Sequence, residues 1–220
     1  MTSHRVPLRL EDYAAQARHL PVAGCRICAH YDDASVVVFK AWDADTVDWA
    51  AATGTLEGTV GYAAVTDTLW FTPSFLSVMY ESRWLTEPGS DRLMAIVLER
   101  IGFDAMLLKA VHADYRDDLY SGEAGWRAMM ESSWVRLRWL PDRGLRGRAL
   151  DRQALHLGLR GKSLRHFANG GWVQHIEDVT EVALAAFRHI RSPERACVPV
   201  VRHYPVATTD VAARLGVDWH

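Results

Sequence analysis

The side chains best suited to moving protons in this chain sit among its aromatic residues. Lys40 lies in the β-branched and aromatic run Val36 to Trp42, and Asp67 and Glu81 flank the segment Trp70-Phe71-Thr72-Pro73-Ser74-Phe75-Leu76. A carboxyl group works as a general acid or base near neutral pH once burial raises its pKa, so Asp67 and Glu81 qualify if folding buries them. Lys40 adds a cation to the same neighbourhood. Trp42, Trp70, Thr72, Ser74 and Tyr80 supply flat surfaces and hydroxyl groups for a small ligand, because aromatic rings bury large areas and stack. The expectation is an aromatic-lined pocket centred on the Trp70 segment.

A second group lies further along the chain. Arg136 and Arg138 alternate with Val135, Leu137 and Trp139, a period of two that puts both arginines on one strand face with Trp134. Stacking plus charge is one way to hold a nucleotide or single-stranded nucleic acid. Arg143, Arg146, Arg148, Arg152 and Arg160 continue the band, which reads more simply as a solvated basic face than as a polyanion surface. Leu159-Arg160-Gly161-Lys162-Ser163 resembles the end of a phosphate loop but lacks the upstream glycine. It reads as a turn feeding a helix, where Arg160 and backbone N–H groups could hold an anion. No Gly-x-Ser-x-Gly elbow is present.

His156 falls in an expected strand, with His166 and His175 near the elements that follow. The ten histidines show no metal spacing, so each is more simply structural, though together they could reach a cleft in the useful titration range. Cys25-Arg-Ile-Cys28 has the spacing of a zinc knuckle, with His30 close by. Only Cys197 or His203, far down the chain, could complete four ligands, so no metal site is expected.

Those residues need elements to hold them. Asp12 to His19 has helical character, and Val36 to Trp42 reads as a buried strand. Asp43 can cap a helix to Ala52 that stops before Gly54. Thr59 to Phe71 has strand character with a turn at Thr66 and Asp67, and Pro73 opens a helix through Glu81. Arg92 to Glu99 fits a central strand and Phe103 to Val111 a helix. His112 to Gly125 reads as a surface excursion. Trp134 to Trp139 is a strand that Pro141 ends, followed by a strand at Gln153 to Leu159 and a short helix at Lys162 to Phe167. Val173 to Ile176 extends the sheet, and Thr180 to Ile190 is an amphipathic helix. The pattern predicts an α+β domain with a mixed sheet flanked by helices. Residues 1–24 read as a leader, 25–192 as the core domain, and 193–220 as a proline-punctuated, partly ordered tail.

Composition narrows the class. A hydrophobic fraction of 49% with 24% charged residues argues against disorder, and 220 residues suffice for a substantial core. The formal charge of −2 excludes a strongly basic DNA-coating protein, but not a local basic face. No apolar run is long enough to span a membrane, and the N-terminus lacks a secretory signal pattern. Three cysteines cannot build a disulfide framework, so the reducing cytoplasm is the expected compartment.

Trp70-Phe-Thr-Pro-Ser-Phe-Leu-Ser-Val-Met-Tyr80, Trp84-Leu-Thr-Glu-Pro-Gly89 and Arg92-Leu-Met-Ala-Ile96 resemble the bacterial and fungal family called domain of unknown function 4291. Tyr31-Asp-Asp33, Val135-Arg-Leu-Arg-Trp139, Leu155-His-Leu-Gly-Leu-Arg-Gly161 and Ile176-Glu-Asp-Val-Thr180 extend the resemblance over residues 26 to 180. The resemblance implies departures too. The family has arginine at Cys28, Tyr-Gln-Ala-Tyr at Phe39 to Trp42, a basic residue at Asp67, lysine at Thr72 and arginine at Glu81. These imply a pocket remodelled for a less anionic ligand, unless the positions are freely drifting surface.

Three functions follow as expectations. One is an enzyme loosely resembling the ADP-ribosyltransferase fold, with an NAD-type ligand and a catalytic glutamate among Glu81, Glu99 and Glu177. A second is an enzyme of specialised metabolism acting on an uncharged aromatic or amino-acid-like molecule. The third is a non-catalytic nucleic-acid-binding module using the arginine band.

Overall fold

A computed structural model describes residues 8–87, 89 and 91–218. The first seven residues of the expected leader, Pro88 of the family motif and Trp219 lie outside that range.

Two apolar runs set the centre of the molecule. β4 (Ser35–Trp42) and β6 (Arg92–Glu99) pair antiparallel along their whole length, from Ser35 opposite Glu99 to Trp42 opposite Arg92. Both faces of this pair are covered, which is why the strands read as continuous hydrophobic stretches rather than alternating ones. β10 (Val173–Asp178) flanks β6, while β3 (Cys28–Tyr31) and then β12 (Arg202–His203) extend the other edge. All four pairings in this five-stranded sheet are antiparallel.

A second sheet is mixed. β9 (Ala149–Leu159) pairs antiparallel with β8 (Val135–Arg143), and β8 pairs parallel with β7 (Ala110–His112). On its other side β9 takes β2 (Ala23–Cys25), parallel, near its start, and β5 (Leu69–Phe71), antiparallel, near its end. The α+β class is therefore as the sequence implied, with two five-stranded sheets and a two-stranded one in place of a single sheet. Reciprocal backbone hydrogen bonds between Phe39 and Thr72 (2.7 and 3.3 Å) join the two larger sheets.

Between the sheets lies the larger core, where Val36, Val38, Met94 and Ile96 meet Phe71, Leu137, Leu155 and Leu157. Helices α5 (Arg100–Lys109), α7 (Gly161–Ala168) and α9 (Thr209–Leu215) close it with Phe103, Phe167 and Leu215. A smaller core covers the far face of the first sheet. There Val37, Phe39, Leu93 and Val97 pack against α4 (Phe75–Glu81) and α8 (Thr180–Arg188). α1 (Tyr13–Ala17) is capped by Asp12, whose carboxylate accepts the Ala15 N–H at 2.7 Å. α2 (Ala44–Thr53) begins at Asp43 and ends on Gly54 in the left-handed conformation, as their residue types demand.

Several expectations need correction. Thr59 to Ala63 is not strand: Thr59 caps the short helix α3 (Val60–Ala63). α4 starts two residues after Pro73, at Phe75, because the Ser74 hydroxyl accepts the Ser77 N–H and acts as its cap. Gly102 lies inside α5, not before it. Pro141 does not end β8, which continues to Arg143. Its partner β7 stops at His112, opposite Leu137, so the missing proline N–H faces no ladder on that side. The span read as a surface excursion contains buried His112, and α6 (Glu123–Ser132) follows it. Residues after Pro193 are not a partly ordered tail. β11 (Cys197–Pro199) pairs with β1 (Leu10–Asp12), β12 joins the first sheet, and Tyr204 is wholly buried with its hydroxyl on Asp104.

Candidate functional site

One face of the second sheet carries the chemistry. Across it Trp70 on β5 stands opposite Gly158 on β9, which stands opposite Arg136 on β8; next along, His156 stands opposite Arg138. The intervening residues, Phe71, Leu157 and Leu137, point into the larger core. Period-two alternation thus puts an indole, an imidazole and two guanidinium groups on the face away from that core.

Where this face meets β4 and α4, it forms a cavity of about 190 Å³. Lys40, Trp70, Thr72, Glu81, Asp91 and His156 line it. An open groove continues from it, sharing Lys40 and Trp70 and adding Trp42 and Asp67. Two glycines make room for the indoles. A Cβ on Gly158 would lie 3.0 Å from the Trp70 ring, and one on Gly61 would lie 2.3 Å from Trp42 Nε1. The Lys40 ammonium lies 5.6 Å from the Trp42 ring centroid and the Arg138 guanidinium 4.7 Å from that of Trp70, both within cation–π range.

Three titratable groups converge at the cavity. His156 is 5% exposed, and its Nε2 has no hydrogen-bond partner among the described residues. Burial pushes its pKa down to about 4, so the ring is neutral near pH 7. Glu81 Oε1 stands 3.9 Å from that nitrogen, too far for a direct hydrogen bond. Desolvation raises the Glu81 pKa, opposed by the nearby charges of Lys40 and Arg143. Desolvation likewise lowers that of Lys40, opposed by Asp91 and Glu81. Thr72 is spent on the scaffold: its hydroxyl donates to the Leu155 carbonyl at 2.7 Å and fixes β9 against the turn into α4.

Glu81 is held by unusual backbone. Directly after it and Ser82, the residues Arg83, Trp84 and Leu85 all have left-handed φ, at 49°, 59° and 57°. Non-glycine residues adopt this conformation at a cost on the order of 1 kcal/mol each. The burial of Trp84 offsets it: the indole is 7% exposed and meets Phe75 and Phe187 at centroid distances of 6.2 and 5.7 Å.

The expected pocket residues therefore divide. Lys40, Trp70, Thr72, Glu81 and His156 line the cavity, and Trp42 and Asp67 line its extension. Arg138 packs on Trp70 and pairs with Asp114 at 3.3 Å. Arg160 pairs with Asp67 at 3.7 Å, at the edge of the groove. Ser74 and Tyr80 are not part of it. The Ser74 hydroxyl donates to Asp142, and the Tyr80 ring faces outward under the Arg143 guanidinium, 3.8 Å away. Arg136 is not a ligand-facing group either: it is buried, donating to the Ser133 carbonyl at 2.9 Å. Asp91 is a lining carboxylate that its sequence context, a glycine-containing loop, gave no signal for.

The arginine band is not one basic face. Arg152 is buried against Asp142, Arg146 donates to the carbonyls of Ile190 and Arg191, and Arg143 covers Tyr80. Of the residues considered for zinc, His30 hydrogen-bonds the Val200 carbonyl at 2.9 Å, and all three cysteines are free. Among the described residues no group of three or more histidine, cysteine or acidic side chains could hold a metal ion, and no helix is long and apolar enough to cross a membrane.

No curated protein matches the chain at a level that would show kinship. The sequence profile of one family spans most of it, from residue 26 to residue 204, and covers every strand that builds the cavity. The chain belongs to that family, the domain of unknown function DUF4291.

Proposed function

We propose that this protein is a small-molecule enzyme that moves a proton between a bound planar substrate and Glu81. The observation that carries this reading is the convergence of Glu81, Lys40 and His156 on one cavity, with an unpartnered imidazole nitrogen 3.9 Å from the Glu81 carboxylate. Displaced pKa values in a cleft are a feature of functional sites, where proton transfer needs them. In this reading Glu81 accepts the proton, and the Lys40 ammonium stabilises the negative charge that develops on the substrate. Neutral His156 hydrogen-bonds and orients the polar group being attacked. Trp70 and Trp42 hold the ring of the ligand along the groove.

The charge balance supports an uncharged aromatic or amino-acid-like substrate. Asp67, Glu81 and Asp91 line the cavity and groove with Lys40 as the cation, and Arg138 and Arg160 are already paired with Asp114 and Asp67. An NAD-type ligand needs cations for its diphosphate, so the ADP-ribosyltransferase-like reading has weaker support. Nucleic-acid binding has the least, because the arginines serve separate contacts. Three free cysteines fit a cytoplasmic enzyme.

Ligand-observed NMR against a library of neutral aromatics, amino acids and nucleotides, NAD included, tests this. Capture of a neutral aromatic compound, lost in Trp70→Ala and turned over by the native protein but not by Glu81→Gln, is the expected result. Capture and hydrolysis of NAD instead would sink the neutral-substrate reading. A captured compound that binds Trp70→Ala unchanged would sink the site.

A further inference from the structure

A separate cavity of about 230 Å³ lies beneath α1, at the opposite end of α4 from Glu81. Tyr13, Leu20, Phe75, Leu155 and Val198 are among the side chains that wall it, and most of the wall is apolar. At about 30 Å³ per liquid water, it has the volume of about seven or eight waters, or a compact organic molecule of about eight heavy atoms.

Three charged side chains line this cavity among the described residues: Asp142, Arg152 and Arg26. Asp142 and Arg152 form a buried ion pair at 2.6 Å, with side chains only 8% and 11% exposed. Asp142 also accepts from the Ser74 hydroxyl at 2.8 Å and the Arg143 N–H at 2.9 Å. Arg152 Nη1 donates to the Pro21 carbonyl at 3.2 Å. None of these bonds uses Arg152 Nη2. The Gln16 amide is occupied at both ends, donating to the Pro199 carbonyl and accepting the Val201 N–H. Burial pushes the Cys28 thiol up to about 11, so it too is a neutral, weak donor. The Asp142 and Gln16 acceptors are satisfied, and the lining charges sum to one excess positive charge.

We propose that this cavity is a ligand site for a small amphipathic monocarboxylate, with its apolar body between α1 and β9 and its carboxylate toward Arg152 and Arg26. A single carboxylate cancels the excess charge and offers two acceptor oxygens to the guanidinium groups of Arg152 and Arg26. An amine would meet two guanidinium groups, and an uncharged hydrocarbon would leave the excess positive charge unbalanced. Neither Lys40, Glu81 nor His156 lines this cavity, so the inference stands apart from the acid–base reading.

Hexanoate, with eight heavy atoms, is the probe, and the full-length protein is the sample. Cys28 lines the cavity, so its alkylation by N-ethylmaleimide reports occupancy by mass spectrometry, with Cys25 and Cys197 as internal controls. Hexanoate at tens of millimolar is expected to slow alkylation of Cys28 several-fold and leave the other two unchanged. Hexanamide is expected to bind about tenfold more weakly, the equivalent of losing a charge-assisted hydrogen bond, and hexylamine to give no protection. Replacing Arg152 would break the buried ion pair, so two gentler variants locate the site. Ala17→Trp, at an exposed position on α1 that lines the cavity, should fill it and abolish protection; Arg26→Gln should weaken binding several-fold. The proposal is overturned by an absence of protection, by equal protection from hexanamide or hexylamine, or by protection that survives Ala17→Trp.

Discussion

The two ends of α4 treat their carboxylates in opposite ways. At the Ser74 end, Asp142 is surrounded: Arg152, the hydroxyls of Ser74 and Ser77, and the Arg143 N–H all point at it. At the Glu81 end, the carboxylate has only a 3.9 Å approach to a neutral imidazole, and half of its side chain meets solvent. Both cavities share α4 and β9, so a common scaffold presents a satisfied acid at one end and an available one at the other. A buried charge with a full set of partners holds structure. One left without partners beside a displaced lysine and histidine is the group to which the proposed function assigns the proton transfer.

Breaking the satisfied end should have the largest effect. Asp142→Asn leaves the Arg152 guanidinium buried without its counter-charge, and is expected to cost about 3–5 kcal/mol in urea unfolding. A loss below about 1 kcal/mol would mean that the Asp142 cluster is not the strut that this contrast requires.

Next comes the seat of the reactive end. Gly158→Ala places a methyl group 2.6 Å from Thr68 Cγ2 and 3.0 Å from the Trp70 ring, so the indole must shift. Overpacking of this kind costs about 1–3 kcal/mol, and Trp70 should leave the Arg138 guanidinium, with a shift in tryptophan emission. Unchanged emission in the folded variant would show that Gly158 does not seat the ring.

Much of this arrangement was legible, for identifiable reasons. Unbroken apolar runs marked β4 and β6 because both faces of those strands are covered, and alternation in β8 correctly put Arg136 and Arg138 on one face. What alternation cannot give is depth. Arg136 sits opposite Gly158, whose far neighbour is Trp70, and it is buried there, while Arg138 lies one step further out. Ser74 and Tyr80 were misplaced because the cap residue of the short helix faces the other cavity, while Tyr80 on its last turn faces outward under Arg143. α6 escaped notice because its apolar stripe is short: Trp126 and Met130 are half-buried and none of its residues is fully buried. The strands after Pro193 are two or three residues long, and their pairing with β1 and β3 spans almost the whole chain.

Acid should separate structural from reactive histidines. Burial pushes both His156 and His112 from 6.5 down to about 4, whereas the unfolded chain takes up their protons near 6.5. Their contribution is therefore complete above pH 6.5 and lost as pH falls from there toward 4. Each should remove on the order of 1–2 kcal/mol between pH 7 and pH 5. The Nε2 of both rings is unpartnered, but His112 Nδ1 is tied to the Tyr120 hydroxyl at 2.9 Å and His156 has no such bond among the described residues. His156→Gln should flatten the pH dependence of urea unfolding with little loss at pH 7, whereas His112→Gln should also lose stability at pH 7. An unaltered slope in His156→Gln would show that the buried ring does not stay neutral.

The smallest effect on stability is expected at Glu81, and it is the most informative. A carboxylate whose pKa is raised by desolvation opposes folding when ionised: its contribution is present below the unfolded pKa and lost as pH rises through the folded one. Glu81→Gln removes that charge, and the partly exposed side chain keeps its shape. Unfolding should then change by less than about 0.5 kcal/mol at pH 7, in the stabilising direction if in either. The Lys40 ammonium provides a second readout, because losing the neighbouring carboxylate should lower its pKa further, visible by NMR of the labelled lysine. A large destabilisation would mean that Glu81 braces the left-handed turn at Arg83 to Leu85 and belongs with Asp142. A silent change in stability with a moved lysine titration would place it on the reactive side.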